Sequence, residues 1–342
     1  MTDDQTGRQF DIAIVGATGL VGEMLLEILG ESDLPLGNVT LLASQESAGR
    51  RLALRGHHLA IRALDGFDFS GVQLAFFAVP EEVARDEAQR AAEAGAIVID
   101  CSGAFAAEQD VPVIVPEVNP DMLADFRERG IIASPSPAAI QLAMVLKPLA
   151  DQAGLGAVNV TVCEPVSSAG RAGVDELAGQ TARLLNGQSP EVKQFGRQIA
   201  FNAHPETSPA LQSGASRAEV RLVLETLRLL ADPGLRVNAT CLRIPVFFGT
   251  SLAVQLETAQ PLAPEEAAIT LANAPGLVVS DGPLGATALD DAVGQDSVRV
   301  SRVRADVSRE QSLNLSLVAD NLRKGAALNC VQIARLLIKD HL

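Results

Sequence analysis

A short apolar run at residues 10–15 passes directly into Gly16-Ala17-Thr18-Gly19-Leu20-Val21-Gly22 and then into a helical pattern at residues 23–29. Strand, glycine turn and helix in that order constrain this chain more than any other stretch. The glycines let the turn tighten and let backbone amides approach a pyrophosphate, whose charge the helix N-terminus then stabilises. A glycine triplet alone is a weak signal, so its meaning depends on the elements downstream of it.

Those elements alternate. Strand patterns at residues 39–43, 73–79 and 97–100 are interleaved with a helical pattern at 82–94, which predicts an α/β fold with a parallel, doubly wound sheet. Past Ile132 the pattern changes. A helix is expected at 137–147, a strand at 157–164, a glycine-rich turn at 168–173, helices at 174–185 and 218–230, strands at 239–248 and 253–258, and a closing helix within 316–338. These elements predict a second α+β domain with a mixed sheet covered by helices. At 342 residues the chain is long enough for both domains.

Composition removes several function classes. A formal charge of −15 with no block of Lys and Arg argues against nucleic acid or an anionic membrane surface as partner, because both are bound through clustered cations. No run approaches the ~18 apolar residues of a membrane span, and residues 1–9 are polar and acidic where a secretory leader is basic and then apolar. A cytoplasmic protein is the expectation. Cys101, Cys163, Cys241 and Cys330, and His57, His58, His204 and His341, fall in no ligand spacing, so no metal is expected and buried free thiols are the default.

Five segments carry a family likeness in their order along the chain: GATGLVG at 16–22, VPEVNP at 115–120, IQLAMVLKPL at 140–149, CLRIPV at 241–246 and DNLRKGAALNCVQIA at 320–334. Together they resemble the aspartate-semialdehyde dehydrogenase family over nearly the whole chain. The resemblance implies a dinucleotide-binding domain at 1–133 completed by a C-terminal helix at 321–342. It also implies a substrate-binding and dimerisation domain at 134–320, NAD or NADP as cofactor, and a homodimer.

The site implied by the resemblance is thin. The family's active-site turn reads like CPNCSTIQL, and its second cysteine attacks the substrate; here the turn is Ser134-Pro135-Ser136-Pro137-Ala138-Ala139-Ile140-Gln141-Leu142, with Pro137 at the nucleophile position. Proline has neither a thiol nor a backbone donor and cannot form the family's thioester. Thr250 stands at the position of the basic histidine, Glu164 at that of an orienting glutamine, and Ala106 at that of a phosphate-gripping arginine, beyond Cys101-Ser102-Gly103. Binding groups persist. Arg243 matches the arginine that clamps the substrate carboxylate, and Glu219 and Arg221 resemble the acidic and basic pair of the facing helix. Gly16, Thr18, Gly19, Leu20 and Val21 match the nucleotide turn, with Ser44, Ser47, Ser168, Gly170 and Asn321 as further cofactor positions. Glu46 aligns with an arginine that meets a 2'-phosphate, which favours NAD, while Arg50 or Arg51 would restore charge for NADP.

Each residue also has a plainer reading. Ser136-Pro137 is an ordinary helix start, a serine cap followed by proline at the first helical position. Ser134 or Ser136 as a nucleophile would need a base within reach, and Cys163 beside Glu164 is a relocated nucleophile or a small core residue. Cys101 lies near the expected cofactor edge or fills a strand end. The expectation is therefore a family paralogue without the thiol-dependent reaction, acting by binding a small anion or another chain. The alternative is an active NAD(P)-dependent oxidoreductase on an aldehyde or oxo group by direct hydride transfer, with Glu164 as proton donor. A structural subunit without any ligand is the third reading, and the retained glycine turn weighs against it.

Overall fold

The computed structural model describes residues 7–206, 211, 214–280, 282 and 284–342. Most of the polar N-terminal stretch therefore lies outside the described residues. The chain divides into two compact units, residues 1–135 with 326–342, and residues 136–325.

The first unit is built on seven strands: β1 (Phe10–Val15), β2 (Leu36–Ala43), β3 (Arg51–Leu54), β4 (His57–Ala63), β5 (Leu74–Phe77), β6 (Ile97–Asp100) and β7 (Ile131–Ala133). Their order is β3-β4-β2-β1-β5-β6-β7. All neighbours are parallel except β3, which runs antiparallel to β4. The central strands are apolar and buried because they are covered on both faces. Ile12, Ile14, Leu41, Phe76 and Ile99 pack with Leu25 and Leu29 of helix Leu20–Glu31 and with Cys330, Ile333 and Leu337 of helix Leu328–Asp340. The β3–β4 hairpin adds to the expected strands: Leu54 and Ile61 are buried in the core while Arg51, Ala53, Ala60 and Arg62 on the other face are exposed. It turns at Arg55-Gly56, where φ is 48° and 79°, the pair of positive φ values that a tight hairpin demands.

The second unit holds β8 (Leu155–Glu164), β9 (His204–Pro205), β10 (Arg236–Arg243), β11 (Thr250–Thr258), β12 (Leu277–Ser280), β13 (Val298–Ala305) and β14 (Ser312–Ala319). The order β12-β13-β14-β11-β8-β10-β9 mixes parallel pairs, β8 with β10 and β12 with β13, with antiparallel ones. Successive side chains of a strand point to opposite faces. Val158, Val160 and Val162 of β8 are buried beside Leu252, Val254 and Leu256 of β11. The opposite face carries small polar groups, with Asn159 in register with Gln255 and Asn238, and Thr161 with Ala253 and Thr240.

Three expected elements are corrected. The helix from Pro137 runs to Ala153, past Pro148, because residues on every side of its first turns are buried and tertiary packing outweighs one missing backbone bond. The glycine-rich turn at 168–173 is already helical from Gly170, in helix Gly170–Leu185. The strand expected to reach residue 248 stops at Arg243, since Pro245 cannot donate to a ladder.

Candidate functional site

In the first unit the glycine turn closes on itself. Gly16 N and Ala17 N donate to Leu42 O, at 2.8 and 3.1 Å, and Gly19 N donates to Gly16 O at 3.0 Å. Gly16 has φ of +89°, and a Cβ there would lie 2.2 Å from Ala78 O. A Cβ on Gly22 would meet Gly16 O at 2.1 Å, so only glycine lets this helix start so near the strand. Leu20 opens a 12-residue helix, whose first amides have no carbonyl within the helix to bond. Those amides suit a pyrophosphate. Thr18, Gly19, Leu20 and Val21 are all partly accessible there, and after β2 Ser44 is exposed and Ser47 half-buried.

Ser134, also in this unit, is a correction to the nucleophile reading. It is fully buried, its amide donates to Asp100 O at 2.7 Å, and its hydroxyl accepts from Asn329 Nδ2 at 2.9 Å. Cys101 is half-buried and its thiol donates to Phe77 O at 3.0 Å. Ala106 is buried.

In the second unit Pro137 occupies the first position of helix Pro137–Ala153, with Ser136 as its N-cap. The serine does not cap through its side chain as expected. Instead its amide and hydroxyl both donate to Glu225 Oε2, at 3.0 and 2.5 Å, while Arg221 Nε donates to Glu225 Oε1 at 2.7 Å. Glu225 is wholly buried and sits one helical turn beyond Arg221 on helix Arg217–Leu230, where i and i+4 side chains meet. Arg221, expected at the substrate, is thus paired with Glu225 of its own helix.

Glu219 closes the start of its own helix. Its carboxylate accepts from Ser216 N at 2.8 Å, while Ser216 Oγ accepts from Glu219 N at 3.2 Å, a reciprocal cap. It also accepts from Cys241 N at 3.0 Å. Desolvation pushes its carboxyl up, but the amides of Ser216 and Cys241 outweigh that and hold it below the usual range.

Arg243 ends β10 directly beside Glu164, the last residue of β8. Its Nη2 lies 2.9 Å from Glu164 Oε2 and 2.5 Å from Glu206 Oε2, while Nη1 donates to Pro165 O at 3.0 Å. The guanidinium lies 5.9 Å from the centre of the Phe195 ring. The arginine expected to meet a ligand carboxylate is thus held by two carboxylates of the chain. Burial pushes the Glu164 carboxyl up; Arg243 opposes the rise and Glu206 adds to it. The Cys241 thiol is pushed far up, first by burial and then by Glu164, Glu219 and Glu206, so it does not supply a thiolate.

Cys163 and Glu164 are adjacent on a strand and face opposite ways. The relocated-nucleophile reading fails on that geometry, because Cys163 sits on the polar face while Glu164 shares its side with Arg243. Thr250 is buried at the start of β11. Asn321, expected at the cofactor, is buried and used by the fold: its Oδ1 accepts from Gly249 N at 2.8 Å and its Nδ2 donates to Ser167 Oγ at 3.0 Å. Ser168 is exposed and Gly170 half-buried at the adjoining helix start.

Glu206, Glu225 and His204 were missed by sequence reasoning. His204 lies opposite Arg243 across the β9–β10 pair, with its ring 6.3 Å from that of Phe195. Its Nε2 is buried with no hydrogen-bond partner among the described residues. No group of three metal-ligating side chains occurs among the described residues, and no described helix is long and apolar enough to cross a membrane.

Comparison with known proteins places this geometry. Residues 11–126 match the model of the semialdehyde dehydrogenase NAD binding domain, and residues 146–324 that of the semialdehyde dehydrogenase dimerisation domain. Aspartate-semialdehyde dehydrogenase 2 of Vibrio cholerae is 44% identical over 98% of this chain and 99% of its own length. A USG-1 protein homolog of Azotobacter vinelandii is also 44% identical, over 96% of this chain and 98% of its own. The crystal structure of the V. cholerae aspartate semialdehyde dehydrogenase II complexed with ASA superposes with a TM-score of 0.96 at 44% identity, over 98% of this chain and 100% of that one. The chain belongs to the aspartate-semialdehyde dehydrogenase family and carries its NAD-binding and dimerisation domains.

Proposed function

We propose that this protein is a dimeric, NAD(P)-binding member of the family that has lost the thiol-dependent oxidation of an aldehyde and acts by binding. The observation that carries the reading is Pro137 at the first helical position, flanked by a serine whose hydroxyl is already committed to Glu225. No thiol is offered there, the Glu225 carboxylate that receives the Ser136 hydroxyl is itself tied to Arg221, and Thr250, at the base position, brings a buried hydroxyl in place of an imidazole. Loss of a nucleophile and base together costs about 10⁶ in turnover where the two act as a unit. Equal identity to a relative named as the dehydrogenase and to one named as a USG-1 homolog leaves the reaction to be decided by the site.

The nucleotide turn supports cofactor binding, since its glycines and helix-start amides form the cradle a pyrophosphate needs. When bound, the cofactor supplies hydride chemistry; the chain's own contribution at this turn is to hold and orient it. Dimerisation is supported by the open polar face of the second unit's sheet and by Phe201, Ile269, Leu284 and Leu289, large apolar side chains left exposed in that unit. Light scattering at micromolar concentration should return twice the chain mass. A single-chain mass would remove the homodimer.

The deciding experiment is phosphate-dependent oxidation of aspartate semialdehyde with NAD and with NADP, beside calorimetric titration of each cofactor. Saturable binding without turnover is the expected result; robust turnover would sink the proposal. One observation favours a second reading. Burial keeps the Glu164 carboxyl protonated to higher pH than usual, as a proton donor for direct hydride transfer to an aldehyde or oxo group requires. Cofactor oxidation driven by such a substrate, without phosphate, would select it.

A further inference from the structure

Arg243 Nη2 has two hydrogens to give, and Glu164 and Glu206 each place a carboxylate oxygen within reach of it. Nη1 donates to Pro165 O, and the guanidinium lies over the Phe195 ring. Both Nη2 hydrogens thus face carboxylates of the chain, so a further carboxylate meets their repulsion before it reaches Nη2.

The two carboxylates are held differently. Glu164 ends β8, which lies inside the sheet between β10 and β11. Glu206 follows β9, an edge strand of two residues joined to β10 through only two residue pairs. Its backbone is anchored by Glu206 N donating to Cys241 O at 3.0 Å, so rotation of its side chain alone moves the carboxylate off Arg243.

We propose that Glu206 is an internal ligand of Arg243, standing where the carboxylate of a small acid would bind, so that it decides which ligands this pocket admits. Small mono- and dicarboxylates are excluded while Glu206 is in place and enter only when it is withdrawn. The inference rests on the reading of Arg243 as a carboxylate-facing residue.

The test compares the wild type with Glu206→Ala and Glu206→Gln, using acetate and succinate as probes against chloride at fixed ionic strength. Glu206→Ala should melt lower than wild type in chloride and regain stability in acetate, because a bound carboxylate stabilises the folded state by mass action. It should also bind succinate about tenfold tighter or more than wild type by calorimetry. Glu206→Gln keeps the shape while removing the charge, and should bind succinate better than wild type even if the alanine variant folds poorly. Wild type that binds succinate as tightly as both variants would overturn the role of Glu206 and leave Arg243 as the anion site. Absence of carboxylate binding to all three proteins would overturn the reading of Arg243 itself, and the inference with it.

Discussion

Replacing Arg243 by methionine should cost more stability than any other single substitution at the site. The side chains of Arg243, Glu164 and Glu206 are 10%, 19% and 12% exposed, so the charges are largely out of water. Removing the guanidinium leaves two carboxylates facing each other without the charge that bridges them, with the weaker pull of Arg221 on Glu164 remaining, and breaking a buried pair in this way costs about 3–5 kcal/mol. The Pro165 carbonyl also loses its donor. The sign of the pH dependence comes from Glu164. Its folded pKa is raised, by burial first, with Arg243 opposing, so its contribution is fully present below the unfolded value near 4.5 and is lost as pH rises through the folded value. Without Arg243 the folded value rises further, and the loss spreads to higher pH. Urea unfolding of Arg243→Met at matched protein concentration should therefore show the full deficit at pH 8 and a much smaller one at pH 5, where one proton relieves the repulsion. Adding Glu164→Gln should recover about 1–3 kcal/mol at pH 8. A deficit below about 1 kcal/mol, or one that is equal at both pH values, would refute the argument that these three groups form one coupled unit.

Three other outcomes are expected. Gly16→Ala should destabilise the first unit, because its Cβ would lie 2.2 Å from Ala78 O at φ +89°, whereas Gly19→Val, whose Cβ meets nothing closer than 3.4 Å, should keep its melting temperature and weaken dinucleotide binding; a Gly19 variant that binds as wild type would remove the turn from the cofactor site. Pro137→Cys alone should stay inactive toward aspartate semialdehyde despite a thiol at a helix start, and adding Thr250→His should raise the rate by about 10² or more; Ala106→Arg is better left out, since it forces a guanidinium into a buried position. The Cys163 thiol, pushed up by burial, should react with a thiol reagent at pH 8 more slowly than free cysteine and recover in denaturant, and equal rates would show that burial does not control it.

Much of the fold was legible because apolar periodicity and turn chemistry are local. Strands Phe10–Val15 and Ile97–Asp100 lie where their apolar runs place them, and helix Arg217–Leu230 was readable from its amphipathic pattern. The β3–β4 hairpin was not, because the alternation of Leu52 and Leu54 and of Leu59 and Ile61 with exposed neighbours is carried by strands of only 4 and 7 residues, too short a run for its period to stand out. The site was less legible for a different reason. Ser136 and Glu225 are 89 positions apart, and Arg243 and Glu206 are 37 apart, so no spacing rule links them. A charge inside an apolar strand announced that Arg243 had a partner; it did not say which residue.

Asn321 shows how such a site can change while its surroundings stay put. One amide side chain ties Gly249, which precedes Thr250, to Ser167, just beyond Glu164 and Pro165. Val166 N and Ser167 N donate in turn to Val246 O and Phe247 O, at 2.9 and 3.2 Å. The scaffolding hydrogen bonds of these loops run between main-chain atoms and one buried amide, and none of them uses the side chains at 137, 164 or 250. Tools can be exchanged on a bench bolted together from beneath. A chain arranged this way is free to drop one chemistry and acquire another without first relearning how to fold, and substitutions at Asn321 should therefore loosen the loops even where every working group is left untouched.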